Sequence, residues 1–565
     1  MNEEINFEEV APWLVAGVTL LGGGLRILLL GSKGMWLDET FSVWLASHNV
    51  GELLRWTATV DQHPPLYYLL LHVWIAFRGD SPYAVRLLSV LLGTATIPVI
   101  YGIGKRLSDP LMGFAAAVLL AVSPFHIRFA QETRMYTCLA FNAAVAIYAL
   151  VRLLTDPRSA EPIGSQFRAA LCAWRTTEPV KAGDGEILDE DAATGRPTTG
   201  EARRSRHRWP PRQTFETDLA WVGFVVFSAA TMLTHNTAVL FPLATHGFVL
   251  GLMLFQRLRK TNSPAGLHAP SLQNWLKAQA GIFLLWSPWL GAFIHQARGV
   301  YQEFWLPRPD WQTVTRALMT FLNAATPAPG QSSVEPAAWM WFLYATVAGL
   351  GLWRYRKEPS RWLLLVALFA IPFAGELLVS LRRPVFYDRT LIWITIPLFL
   401  LLAAGITQLR YRFLVILALG ILGANNLFAA ADYYRFMQKE DWNTAAGYVA
   451  NFVEQDDLVL FNANWAQIPF DYYFRAYEDL YDIRVEKRGL PEDMFESGVL
   501  EPKMTENDVA RLMALVNGRE RVWLVYSHDW YTDPQGLIPK ALGARMHVVR
   551  QRYFYGGQVL LYAAP

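Results

Sequence analysis

The sequence of 565 residues contains little charge, few cysteines and no excess of either sign of charge. Only 17% of the residues are Asp, Glu, Lys or Arg, against about 25% in ordinary soluble domains. The 50 basic and 48 acidic residues leave a formal net charge of +2, so no strong field attracts nucleic acid. Cys138 lies in an apolar segment and Cys172 in a polar one, so the two are poorly placed to pair. These shortages argue against a soluble domain, a nucleic-acid-binding protein and a disulfide-stabilised fold.

The motifs of nucleotide and zinc chemistry are also missing. There is no G-x-x-x-x-G-K-[ST] phosphate loop, and the glycine clusters at 21–25 and 102–104 lie in apolar segments, where glycine favours close helix packing. No Cys and His residues have the spacing of a zinc site. We therefore expect neither a nucleotide-dependent cytosolic enzyme nor a cofactor, and leave a divalent metal ion open.

Long apolar segments dominate the chain. A hydrocarbon core about 30 Å thick needs about 20 apolar helical residues. Segments of about this length occur at 11–31, 83–104, 111–127, 135–153, 218–233, 237–256, 277–296, 336–353, 362–380, 390–406 and 412–431. They predict an all-α polytopic membrane bundle of about eleven transmembrane helices. The first segment has no small-residue cleavage site, so we interpret it as a retained helix.

The basic residues predict the orientation of this bundle, because Lys and Arg concentrate in cytoplasmic loops. With a cytoplasmic N-terminus, five basic clusters lie inside, at 105–106, 203–212, 257–260, 354–357 and 410–412. A membrane crossing by the apolar segment 64–77 would invert this arrangement, so we interpret that segment as a juxtamembrane or half-inserted helix. Arg382, Arg383 and Arg389 then lie outside, and binding of an anion would explain this exception.

The chain divides into a transmembrane module, 1–431, and a C-terminal domain, 432–565. The module includes an outer loop at 32–82 and a polar insert at 155–217 whose composition cannot form a core, and we expect this insert to be cytoplasmic and disordered. The C-terminal part combines a helix-like run at 441–453 with β-rich runs at 457–461, 521–526 and 558–562, which indicates a small extracytoplasmic α/β domain. The expected location is the cell (plasma or inner) membrane, in contact with its lipids.

Unusual polar residues collect in the predicted outer loops. The candidates for chemistry are Asp38, Glu39, His63, Tyr67, Gln131, Glu132, Arg134, Tyr136, His235, Tyr387 and Arg389. Arg26 and Glu376 lie near the outer ends of spans instead, where snorkelling to the interface is the ordinary interpretation.

Transfer of a group from a lipid phosphate to a hydroxyl fits a carboxylate and cations at an outer membrane surface. A phosphate can leave without a general acid when a cation meets its developing charge, whereas the acceptor hydroxyl needs a base within hydrogen-bond reach. Asp38, with an Arg or a His nearby, would supply both. We expect partial burial to raise its pKa from an aqueous value of about 3.9.

Several motifs occur in a characteristic order. These are Asp-Glu at 38–39, His-Pro-Pro-Leu-Tyr at 63–67, Ala-Val-Arg-Leu-Leu-Ser around Arg86, Gln-Glu-x-Arg-Met-Tyr at 131–136 and a late Arg before Ile-Pro. In this order the sequence resembles the C-type glycosyltransferases, and more narrowly the bacterial relatives of protein O-mannosyltransferases and of the lipid A aminoarabinose transferase. The resemblance extends over roughly residues 10–430 and is specific over 36–136.

This resemblance implies a polyprenyl-phosphate sugar donor and an inverting transfer on the extracytoplasmic face to an acceptor on a protein, a lipid or a glycan. It implies that Asp38 is the catalytic base and that Glu39 supports the site beside it. The aminoarabinose branch has Lys at the position of His63, so the ligand of the lipid phosphate stays open. Candidates for donor binding are His63, Arg86, Arg134, Tyr136, Tyr387 and Arg389, and candidates for the acceptor or pocket are Tyr67, Gln131, Glu132 and His235.

Two other functional classes fit the sequence less well. A lipid or solute transporter usually carries ionisable residues near the middle of the membrane and paired broken helices, whereas charge here collects outside. A receptor whose C-terminal domain binds sugar or protein would leave Asp38 without a role.

Overall fold

The computed structural model describes residues 7–61, 63–165, 168, 216–259, 266–299, 308–323, 338–494, 496 and 502–565. The predicted insert at 155–217 therefore lies largely outside the described residues. In chain order, the first helices are α1 (Phe7–Ile27), α2 (Leu37–Ala46), α3 (Val50–Thr59), α4 (Leu66–Arg78), α5 (Pro82–Leu107), α6 (Pro110–Ala121), α7 (Pro124–Ala130) and α8 (Tyr136–Thr155). The later helices of the bundle are Glu216–Met232, Leu240–Arg259, Leu272–Trp286, Leu290–Gly299, Trp311–Asn323, Ala338–Arg354, Pro359–Ser380, Thr395–Ile406 and Arg412–Phe436.

These helices form the predicted polytopic bundle. Among the described residues, seven helices are long and apolar enough to cross a membrane, and the bent pair α6–α7 is an eighth candidate. Three further predicted spans are helical but shorter, with 17, 15 and 17 residues in Glu216–Met232, Leu272–Trp286 and Ala338–Arg354. The count of eleven therefore stays a prediction. Helix α4 has 13 residues, or about 20 Å at 1.5 Å per residue, which agrees with a juxtamembrane helix.

The bent pair is stabilised by a buried arginine. Helices α6 and α7 meet at an angle of 58°, and such a break leaves the last carbonyls of α6 without helical partners. The guanidinium of Arg26, fully buried in the bundle, donates to the carbonyls of Leu120 at 3.1 Å and Ala121 at 3.0 Å. The expectation that Arg26 snorkels is wrong, because its charge is used inside the protein.

The C-terminal domain is built on a five-stranded sheet. Its strands are β1 (Leu458–Asn462), β2 (Glu486–Gly489), β3 (Arg521–Ser527), β4 (His547–Phe554) and β5 (Gly557–Ala563), in the order β2-β1-β3-β5-β4. The neighbours β2, β1 and β3 are parallel, and β5 pairs with β3 and β4 in antiparallel fashion. Helices Trp442–Ala450 and Gln467–Tyr481 cover one face, and Val509–Val516 and Leu537–Gly543 cover the other. The predicted α/β domain is confirmed.

This domain packs against the outer loop that follows α1. The hydroxyl of Tyr473 accepts a hydrogen bond from the backbone N–H of Met35 at 2.7 Å. Lys33 donates to the carbonyl of Met437 at 2.7 Å. Tyr472 donates to the carbonyl of Asp80 at 2.7 Å, just before α5. The C-terminal domain therefore holds both ends of the segment that carries α2.

Candidate active site

Asp38 lies in the first turn of α2, between two arginines. Its Oδ2 atom is 3.2 Å from Nη1 of Arg389 and 3.8 Å from Nε of Arg134. Arg134 also donates from Nη1 to the backbone carbonyl of Asp38 and to the hydroxyl of Ser42, both at 3.2 Å. The Asp38 side chain is 24% exposed, so a reactant can reach this carboxylate.

The two arginines determine the protonation state of Asp38. Burial raises the pKa of its carboxyl, but the positive charges of Arg134 and Arg389, with a further contribution from His63, lower it, and the net pKa lies below the ordinary value. The expected rise in this pKa is therefore wrong. That expectation rests on burial alone, and the two arginines within 4 Å of the carboxylate outweigh the effect of burial on the pKa.

Arg389 is held in place by aromatic rings and by a buried acid. Its guanidinium carbon is 4.5 Å from the ring centre of Tyr387 and 5.5 Å from that of Tyr136. Glu376, 1% exposed, accepts hydrogen bonds from the backbone N–H of Tyr387 at 3.3 Å and from the hydroxyl of Thr390. The expected snorkelling of Glu376 is wrong, because its side chain fixes the turn that presents Arg389.

Glu39, the neighbour of Asp38, has a different environment. Its side chain is fully buried, with both carboxylate oxygens 2.7 Å from the guanidinium of Arg86 and Oε2 also 2.8 Å from Nζ of Lys439. The backbone N–H of Thr133 donates to Oε1 at 2.9 Å. Burial raises the pKa of Glu39, but Arg86 and Lys439 lower it to about 2. This arrangement favours a role in positioning the loops over direct participation in chemistry.

Arg86 was a candidate ligand of the donor phosphate, and its contacts argue against that role. Its guanidinium donates twice to Glu39, and its other three N–H groups donate to the carbonyls of Leu30, Lys33 and Gly34 at 2.8 to 2.9 Å. All five N–H donors of the side chain are therefore used within the protein. Arg86 has none left for a phosphate.

Glu132 and Lys439 extend the buried charge network. Nζ of Lys439 is 3.8 Å from Oε1 of Glu132, and Nε of Arg128 is 3.6 Å from the same oxygen. The side chains of Lys439 and Glu132 are 3% and 1% exposed. Glu132 thus contributes to the framework beneath the site. The sequence interpretation missed Lys439, which gives no signal beyond a lysine that closely follows the last apolar helix.

The histidines of the site lie together beside the arginines. The ring centres of His63 and His235 are 5.2 Å apart, and His235 is 6.5 Å from the ring of Tyr136. Nδ1 of His63 is 3.0 Å from Oδ1 of Asp61, which orients the imidazole. Since His63 contributes to the lowered pKa of Asp38, this group belongs to the same cluster.

Tyr67 and Gln131, the remaining pocket candidates, have structural contacts. Tyr67 is fully buried and its hydroxyl is 3.1 Å from that of Ser89. The amide of Gln131 donates to the carbonyls of Arg26 and Leu28 at 3.0 and 2.6 Å. Both side chains join helices and loops behind the site. Within the described part of the chain, no group of three or more His, Cys, Asp or Glu side chains could hold a metal ion.

The environments of the two adjacent acids predict that neutralising them has unequal effects on stability. Glu39→Gln should lower the free energy of unfolding by about 3 kcal/mol, because it leaves Arg86 and Lys439 buried beside a neutral amide. Asp38→Asn, at a partly exposed site, should change it little. Thermal unfolding of both variants in the same detergent measures this difference, and equal unfolding temperatures would contradict it.

Known proteins resemble this chain in sequence over one segment and in fold throughout. The sequence model of the dolichyl-phosphate-mannose-protein mannosyltransferase family matches residues 62–171, which include α4 to α8. No curated protein matches the sequence. The sequence match is thus confined to the segment in which most of the characteristic motifs lie.

The similar structures are membrane enzymes of remote sequence. ArnT from Cupriavidus metallidurans in the apo state aligns over 98% of each chain, with a TM-score of 0.58 and 11% identity. The same protein bound to undecaprenyl phosphate aligns over 97% of each chain, with a TM-score of 0.55 and 11% identity. The oligosaccharyltransferase AglB from Archaeoglobus fulgidus, in complex with an inhibitory peptide and a dolichol-phosphate, aligns over 99% of this chain and 75% of its own, with a TM-score of 0.51 and 11% identity. The chain therefore has the fold of the C-type glycosyltransferases, as its motifs predicted.

Proposed function

We propose that the protein is a membrane glycosyltransferase that moves a sugar from a polyprenyl-phosphate donor to an acceptor hydroxyl on the extracytoplasmic face. Asp38 acts as the general base and the reaction inverts the anomeric centre. The observation that carries this proposal is the partly exposed carboxylate of Asp38, whose Oδ2 atom lies 3.2 Å from Arg389 and 3.8 Å from Arg134. A base and two phosphate-binding cations are thus within reach of one reacting centre.

The similar folds support a lipid-linked donor. The structure of ArnT holds undecaprenyl phosphate and that of AglB holds a dolichol-phosphate. In this chain, Arg389 and Arg134 are the cations best placed for such a phosphate, with His63 nearby. The sugar and the class of acceptor, whether protein, lipid or glycan, are open.

Donor binding would activate Asp38 in this arrangement. In the absence of a donor, the charges of Arg134 and Arg389 hold the pKa of Asp38 below its ordinary value. A phosphate bound to Arg389 and Arg134 neutralises part of that charge, so the pKa of Asp38 rises in the complex. A higher pKa makes the carboxylate a better proton acceptor at neutral pH.

A transporter is the alternative and has less support. The described residues contain one bent helix pair, whereas transporters usually place paired broken helices around a central site. Arg26 and Glu376, two ionisable side chains buried within spans, make hydrogen bonds that stabilise a helix end and a turn. Both side chains thus have structural roles that do not require a transported substrate.

The donor class is tested with purified protein and a panel of radiolabelled sugars. Transfer should require a polyprenyl-phosphate sugar, because the sequence contains no nucleotide-binding motif. UDP- and GDP-sugars without polyprenyl phosphate serve as the control. Transfer from either nucleotide sugar alone would refute the lipid-linked donor.

Asp38→Asn tests the base. The amide keeps the size of the side chain but cannot take a proton, so single-turnover transfer should fall by about 10² or more while donor binding persists. A variant within about threefold of the wild type would end the assignment.

The pH dependence gives a second readout of the same residue. A base with a lowered pKa stays ionised until the pH falls through that pKa, so kcat/KM, which reports the free enzyme, should persist into acid. The value of kcat, which reports the donor complex, should fall at a higher pH because the bound phosphate raises the pKa of Asp38. If kcat and kcat/KM fell at the same acidic pH, donor binding would not raise the pKa of Asp38, and this prediction would be wrong.

Arg389→Ala tests the phosphate ligand. Loss of a charge-assisted contact of about 1.5 to 3 kcal/mol should weaken donor binding roughly tenfold to a hundredfold. Arg389→Lys should restore only part of it, because the bidentate geometry is lost. Arg382→Ala, at an exposed position of the same loop, is the matched control. Unchanged donor binding by Arg389→Ala would make Arg134 the better candidate.

A further inference from the structure

The helix that carries Asp38 begins without a cap of its own. The first N–H groups of a helix have no helical partners, and Trp36, the residue before α2, supplies no side-chain hydrogen bond within the described residues. Backbone bonds to the carbonyl of Trp36 satisfy the N–H groups of Glu39 and Thr40, both at 3.1 Å. The N–H of Leu37, directly before Asp38, needs another acceptor.

That acceptor comes from the first segment of the C-terminal domain. Oε2 of Glu440 accepts from the N–H of Leu37 at 3.2 Å and from the indole N–H of Trp442 at 2.7 Å. Glu440 is separated from Leu37 by about 400 positions in the sequence. A carboxylate at this position also has a favourable interaction with the positive end of the helix dipole.

The sheet of the C-terminal domain holds Glu440 from the other side. Nε2 of His528 is 3.3 Å from Oε1 of Glu440, and His528 directly follows β3. The helices that follow β1 and β3, Gln467–Tyr481 and Leu537–Gly543, cover opposite faces of the sheet. Trp465 follows β1, with its ring 4.5 Å from that of His528. Glu440 contacts this edge of the sheet.

The fit around Glu440 is close. A Cβ atom added to Gly34 would lie 3.2 Å from the carbonyl oxygen of Glu440, and a Cβ atom added to Gly556 would lie 2.9 Å from Cγ of Glu440. Gly556 has a φ of +113°, a conformation that glycine adopts readily. The Glu440 side chain is 15% exposed, so it is fixed between the outer loop and the sheet.

We propose that Glu440 is a positioning residue for Asp38, and that the C-terminal domain keeps the catalytic helix in place by holding Glu440 against α2. This inference rests on the proposed function of Asp38. It gives the C-terminal domain a part in the transfer step itself, independent of any role in acceptor binding. Because α2 carries Asp38 in its first turn, loss of the contact at Leu37 moves the base relative to Arg389 and Arg134.

The test compares Glu440→Ala and Glu440→Gln in the full-length protein. Single-turnover transfer is measured with a saturating polyprenyl-phosphate sugar, together with the Kd for polyprenyl phosphate and the unfolding temperature. Glu440→Ala should lower the rate about tenfold or more, since small misplacements of a catalytic group have effects of this size, and should leave the Kd unchanged. Glu440→Gln keeps an oxygen for the N–H of Leu37 and should retain most of the rate. Asp479→Asn, on the exposed surface of the same domain, is the control.

A double-mutant cycle separates positioning from general damage. If Glu440 acts through Asp38, Glu440→Ala should cause no further loss in the Asp38→Asn background. An equal loss in both backgrounds, a wild-type rate for Glu440→Ala, or a Glu440→Gln variant as slow as Glu440→Ala would each overturn the inference. If Glu440→Ala does not fold, His528→Ala, which removes the contact of Glu440 with the end of β3, takes its place with the same expectations for rate and Kd.

The cycle also distinguishes this inference from the proposed function. If Asp38→Asn transfers sugar at the wild-type rate, Asp38 is not the base, whatever the rate of the Glu440→Ala variant. A slow Glu440→Ala variant in that case would mean that the segment acts on another group, and the inference would fall as well. A slow Asp38→Asn variant beside a fully active Glu440→Ala variant leaves the base in place and overturns only the positioning role.

Discussion

The buried ion pair between Glu39 and Arg86 is the interaction on which the loops around Asp38 depend. A charge in such a place is costly unless every partner is present, and here the partners come from separate segments. They are α5 through Arg86, the loop after α7 through the N–H of Thr133, and the first segment of the C-terminal domain through Lys439. Because one missing partner leaves a buried charge uncompensated, the pair requires these segments to meet.

Asp38 and Glu39 diverge because they are consecutive residues of one helix. Successive side chains of an α-helix point about 100° apart, so a helix that directs Glu39 into the bundle directs Asp38 along its surface. Glu39 thereby finds Arg86, and Asp38 finds Arg134 and Arg389. In the sequence the two acids are simply neighbours. In the structure Glu39 is buried in an ion pair and Asp38 is partly exposed.

The sequence predicted what depends on local pattern. The bundle and the α/β domain follow from apolar length and β-rich runs, and charged residues of the loops that were predicted to lie outside meet at Asp38. Arg389 was identified because it violates the expected sidedness. The direction of the Asp38 pKa was missed because it depends on arginines 96 and 351 positions away. Strands β2 and β4 were missed because they are charged or exposed along their length and lack the alternation of a half-buried strand.

The proposed reaction leaves the charge of the arginine cluster unchanged. A phosphodiester donor carries one negative charge and the ionised Asp38 another. When the acceptor oxygen bonds to the anomeric carbon, its proton passes to Asp38 and the bond from that carbon to the phosphate oxygen breaks. The carboxyl becomes neutral while the departing polyprenyl phosphate gains a second negative charge. One charge thus moves from the base to the leaving group beside the same two arginines. Arg134 and Arg389 face the same total charge before and after, so fixed cations can stabilise the transition state with little reorganisation.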